Sequence, residues 1–157
     1  MASLALAARL VVAAAFLFAG VQKLRAGRSL RPQVAAFGVP AAAAPAVAVA
    51  LPLVELTAGL ALIVFVRSPV PAWIALALLA VFTGAVAANL AGGRHVPCPC
   101  FGTSVSDVSA GTLVRNGWLL ALAVIGTASI SGATLGATVL WTIGLGLVTV
   151  ALLQLAP

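Results

Sequence analysis

The chain has 157 residues, of which 64% are hydrophobic and 6% charged, where soluble domains carry roughly 25% charged residues. So few polar side chains cannot cover a water-soluble fold, and the composition predicts one integral membrane domain over residues 1–157. The net charge of +6 comes from eight Lys/Arg against Glu55 and Asp107; the cations sit mainly at segment ends with no interleaved aromatics, which fits membrane lipid headgroups and argues against nucleic acid.

Five stretches are long and apolar enough to cross about 30 Å of hydrocarbon. The first runs over about 4–24, "LALAARLVVAAAFLFAGVQKL", with Arg9 near its start. No basic region precedes it, so it reads as a retained helix rather than a cleaved leader. The linker 25–45 is half apolar and is expected to hold a short interfacial helix whose Arg25, Arg28 and Arg31 reach for phosphates. The second span, 46–66, carries Glu55. "RSPVP" (67–71) then breaks the helix, because proline lacks a backbone donor and disfavours helix in the residue before it.

The third span, 72–91, ends in "AANLA" and includes Asn89. A connector, 92–112, follows, in which Ser106 or Asp107 is expected to cap the next helix. The fourth span, 113–130, opens on "LVRNGWLL" with Arg115 and Asn116, and "SISGAT" turns the chain into the fifth, 135–155. Gly132 and Gly136 have the spacing of close helix packing. Trp73, Trp118 and Trp141 read as interface anchors.

Nearly all the reactive chemistry lies in "RHVPCPCFG" (94–102): both cysteines, the lone histidine and two prolines. Cys98-Pro99-Cys100 leaves one residue between the thiols, and a disulfide closed so tightly is strained and labile. Pro97 and Pro99 restrict the backbone around them. Arg94 and a protonated His95 can stabilise a thiolate. Two other readings stand beside the redox one. His95, Cys98 and Cys100 offer three ligands to Zn or Cu(I), one short of a closed structural zinc site. Alternatively the cysteines are small hydrophobes in a non-catalytic bundle that serves as subunit or chaperone of a larger membrane complex.

Glu55 is the only acid within any span and lies about 13 Å from the start of its helix. An intramembrane acid faces the bundle interior and takes a partner. Candidates at its end of the bundle are Gln22, Lys23, Asn89, Arg115 and Asn116. Its role is either an interhelical bond that fixes packing or a proton relay or cofactor contact.

"FAGVQKL" (18–24), "LPLVELTAGLAL" (51–62), "CPCFG" (98–102) and "VRNGWLL" (114–120) together resemble the MauE family, within the wider DoxX-like group of membrane proteins. The resemblance covers the first four spans. It implies an all-α membrane protein, a four-helix transmembrane bundle with a fifth transmembrane helix appended. It also implies a thiol–disulfide oxidoreductase, or an accessory subunit, acting in disulfide formation or redox maturation of exported proteins. Cys98 and Cys100 would be the redox pair, with Glu55, Arg115 and Asn116 as interior polar residues. Pro99 stands where such a motif more often has Gly. The family is named for methylamine utilisation, where it assists maturation of a disulfide-rich dehydrogenase subunit, but nothing in this chain points to that substrate. A thioredoxin-like or other redox protein is the expected partner, and a membrane quinone held near Glu55 is the expected electron acceptor.

Orientation divides the two lines of argument. Five spans put Lys23, Arg25, Arg28, Arg31, Arg94 and Arg115 at the cysteine end, with Arg9 and Arg67 at the other, a bias that predicts a cytoplasmic connector. Oxidising exported proteins requires the opposite. The expectation taken here is a multi-pass plasma-membrane protein with the cysteine connector on the extracytoplasmic face.

Overall fold

The computed structural model describes residues 1–93, 97–98, 106–107 and 109–154, the segments 97–98 and 106–107 as backbone. Helix α1 (Ala2–Ala26) is followed by a 3-10 turn at Gly27–Ser29 and the short α2 (Leu30–Ala36). Then come α3 (Ala44–Val64), α4 (Val70–Ala91), α5 (Ala110–Gly126) and α6 (Leu135–Gln154). Between α4 and α5, β1 (Pro97–Cys98) pairs antiparallel with β2 (Ser106–Asp107), Cys98 opposite Ser106.

The architecture is the expected helical membrane bundle. With α2 continuing α1, α1, α3, α4 and α6 are long and apolar enough to cross a membrane. At 17 residues, α5 is shorter, roughly 26 Å at 1.5 Å per residue, the low end for a span. It also begins and ends earlier than the expected 113–130. Proline opens α3 and α4, where Pro45 and Pro71 occupy first-turn positions whose amides have no helical acceptor.

The capping expectation is corrected. Ser106 and Asp107 pair with β1, and the N-cap of α5 is Ser109, whose amide donates to Thr112 Oγ1 at 3.4 Å.

Helix α1 is central, packing against α3, α5 and α6, while α4 lies against α5 and α3. Its small residues allow this, for Ala5, Ala7, Ala8, Ala13 and Ala19 are all buried. The core joins Val12 and Phe16 of α1 to Leu62, Leu79, Leu119 and Leu122. The α1–α3 crossing is tight in both directions. A Cβ on Gly20 would come within 2.8 Å of Leu56 Cγ and 3.1 Å of the Pro52 carbonyl oxygen. One on Gly59 would come within 2.9 Å of Leu17 Cγ and 3.1 Å of the Ala13 carbonyl oxygen. By contrast, a Cβ on Gly132 or Gly136 meets nothing within 4 Å, so the close-packing glycines are not the pair the spacing suggested. Helix α6 is outermost, with Thr138 and Thr149 its buried residues. Trp118 turns inward and its Nε1 donates to Thr149 Oγ1 at 3.1 Å, joining α5 to α6, while Trp73 and Trp141 are exposed.

Candidate functional site

Alternation of direction brings the end of α1, the start of α3, the end of α4 and the start of α5 to one end of the bundle. There Lys23 and Glu55 form a buried ion pair, 5% and 2% exposed. Lys23 Nζ donates to Glu55 Oε1 at 2.6 Å and to Oε2 at 2.8 Å. Helix side chains tilt toward their own N-terminus, so a lysine near the C-terminal end of α1 reaches back into the bundle to meet an acid about 16 Å along α3. Arg115, also buried, lies near enough to Lys23 for the two cations to repel.

Beside the pair, α1, α2, α3, α4 and α5 enclose a cleft of about 180 Å³. The inward face of α2 contributes Leu30, Gln33 and Val34, and its C-cap Phe37 follows them at the i, i+3, i+4, i+7 spacing of one helix face. Phe16 and Phe82 add aromatic surface from α1 and α4. Lys23, Glu55 and Asn116 also line it. Among the described residues, two side-chain amides there lack a protein partner. Asn116 is 5% exposed and hydrogen-bonds to no side chain or backbone group among the described residues. Gln33 Oε1 is buried without a hydrogen bond.

Glu55 and Asn116 both line the cleft, and Lys23 rather than Gln22, Asn89 or Arg115 partners the acid. Asn89 is not part of the lining; its Nδ2 donates to the Ala85 carbonyl at 2.8 Å within its own helix. Strand β1, which contains Cys98, lies beside α2, with Cα atoms within 8 Å. Arg94, His95 and Cys100 fall outside the described residues. The His95/Cys98/Cys100 metal reading falls there with them, and among the described residues no three His, Cys, Asp or Glu gather.

Sequence reasoning missed Gln33 and the cleft aromatics. Gln33 stands between Pro32 and Val34 in a basic, half-apolar linker, and only the 3.6-residue period from Leu30 to Phe37 marks the inward face.

It also missed the role of Arg9, at the opposite end of the bundle. This residue is 3% exposed. Its Nε donates to the Gly126 carbonyl at 2.6 Å and Nη2 to Ala128 at 3.1 Å. Nη1 donates to Ser68 at 3.2 Å and to the carbonyl of Val66. One guanidinium thereby ties the turn after α3 to the end of α5, where the Gly126 carbonyl is one that a helix leaves orphaned.

A helical membrane bundle with a buried ion pair and an amide-bearing cleft at its cysteine end defines a class of polytopic membrane protein. Within that class, the chain belongs to the family described as methylamine utilisation protein MauE, whose model matches residues 1–129. The match takes in α1 to α5 and stops before α6. No curated protein and no solved structure matches the chain.

Proposed function

We propose that this protein is a thiol–disulfide oxidoreductase of the plasma membrane, or an accessory subunit of one, serving disulfide formation and redox maturation of exported proteins. The observation that carries this reading is the gathering of both cysteines in one connector, whose strand β1 (Pro97–Cys98) runs beside α2 at the polar end of the bundle. Membership of the MauE family supports it. A thiolate of a thioredoxin-like partner or an exported substrate attacks the Cys98–Cys100 disulfide, giving a mixed disulfide and releasing one cysteine as thiolate. The partner's second thiolate then displaces the other cysteine. The partner gains an S–S bond, and Cys98 and Cys100 are left as the two-electron-reduced dithiol.

Arg94 and His95, adjacent in sequence, would favour the departing thiolate. Such exchange belongs on the extracytoplasmic face, where oxidised thiols persist.

The test is disulfide formation in an exported substrate, scored by electrophoretic mobility in cells carrying Cys98→Ser or Cys100→Ser protein at normal levels. Both variants are expected to reduce it to the level of cells lacking the protein. Full substrate oxidation with either serine variant would remove the reading.

A further inference from the structure

The ion pair absorbs Glu55, so an electron acceptor held near that carboxylate has little of it left to bind. Among the described residues, the unpaired groups in the cleft are Gln33 Oε1 and the Asn116 side-chain amide. Polar groups withdrawn from water go without hydrogen bonds only at a cost, and in a bilayer no water stands by to replace a missing partner. Both amides border a space whose remaining lining is mostly apolar and includes three phenylalanines, Phe16, Phe37 and Phe82. An apolar cavity of about 150 Å³ takes up a benzene ring, so this cleft of about 180 Å³ accommodates a substituted six-membered ring. The ligand that satisfies both sets of groups is a flat, apolar ring carrying carbonyl oxygens. Asn116 can donate to a carbonyl through Nδ2, and Gln33 Oε1 can accept from the hydroxyl of the reduced form.

We infer that the cleft between α1, α2, α3, α4 and α5 is a binding site for a membrane quinone, with Asn116 and Gln33 as its hydrogen-bonding groups and the phenylalanines as its ring-contacting surface. This assignment rests on the thiol–disulfide reading above. It places the oxidant under α2, the helix beside which strand β1 (Pro97–Cys98) runs. The reaction balances: two S–H bonds of the Cys98/Cys100 dithiol break and one S–S bond forms. The two electrons and two protons go to the quinone, giving the quinol and restoring the disulfide used on the next partner.

The experiment uses full-length protein in detergent micelles, titrated with decylubiquinone, with decylbenzene as a ring-and-tail control that lacks the carbonyls. Wild-type protein is expected to bind decylubiquinone saturably and decylbenzene at least about tenfold more weakly. Asn116→Leu and Gln33→Leu should each weaken quinone binding by about tenfold, the scale of one lost hydrogen bond in an apolar site. Gln33 lies on the peripheral α2, so its variant tests the site without disturbing the bundle centre. Binding of decylbenzene as tight as that of the quinone, or unchanged quinone affinity in both amide variants, would overturn the site and leave the redox reading standing.

Anaerobic mixing of reduced protein with decylubiquinone gives the second readout. Cys98→Ser should bind the quinone as wild type does and form no quinol. Quinol formation that persists in Cys98→Ser would overturn the redox step while leaving the binding site intact.

Discussion

Lys23 and Glu55 hold opposite charges 2.6 Å apart in a place where neither can be hydrated. The pair repays its desolvation only while both partners are present, and removing one partner of a buried ion pair typically costs about 3–5 kcal/mol. Lys23→Met and Glu55→Gln are therefore each expected to lower the thermal unfolding midpoint in detergent markedly. The double variant Lys23→Met/Glu55→Leu should recover most of the loss, because a well-packed apolar pair needs no hydration. A double variant as unstable as the worse single would show that packing, not charge pairing, sets the cost. That Glu55 is special is legible in the sequence, since it is the only acid in any span. Which neighbour it takes is not, because Gln22 and Lys23 are adjacent on a helix and only the rotation of α1 about its axis decides which faces α3. The same reason hides Asn116 as a cleft group, while Asn89, chemically identical, is satisfied by its own helix.

Among the elements, α1 and α3 approach most closely, and Gly20 and Gly59 permit it by presenting no Cβ where Leu56 and Leu17 lie. Close approach driven by dispersion is how helices associate in lipid, where burial of apolar surface supplies no net drive. Gly59→Ala is expected to cost about 1–3 kcal/mol as overpacking, read as a lower unfolding midpoint, while Gly136→Ala should be silent because open space surrounds that position. Equal effects of the two substitutions would contradict the packing described. The helix breaks at 67–71 and 129–134 were legible because proline and turn chemistry act locally. The α1–α3 crossing was not, since in a chain with 15 glycines sequence spacing alone does not say which ones meet a neighbour. Helix α5 was placed too late in the chain for a related reason: "TASI" (127–130) is apolar enough to continue a span, yet the structure ends the helix at Gly126, where its carbonyl is taken by Arg9.

At the scale of the whole molecule, four helices are long and apolar enough to span a membrane, and a crossing by the shorter α5 as well puts the two chain termini on opposite sides. Of the described basic residues at the cysteine end, Lys23 and Arg115 are buried in the bundle and act as interior groups rather than loop charges, while Arg25, Arg28 and Arg31 are exposed there and Arg67 is exposed at the far end. That residual bias pulls toward a cytoplasmic connector, and the proposed chemistry pulls outward. Labelling of intact cells with a membrane-impermeant maleimide decides between them: Cys98 and Cys100 are expected to react only after mild reduction, and a cysteine introduced at Arg67 in a chain lacking both should not react until the cells are opened. The reverse pattern would exclude a role in oxidising exported proteins.

Arg9 carries a consequence for biosynthesis. Its carbonyl acceptors lie 57, 59, 117 and 119 residues downstream. At about 5–20 residues per second, the last of them leaves the ribosome roughly 6–24 s after the arginine itself. Val66 and Ser68 are made about halfway through that interval, and until then the guanidinium of the first helix has none of its final acceptors. Completion of α5 supplies the remaining acceptors, so Arg9 fixes the first helix in full only once the chain has passed Ala128.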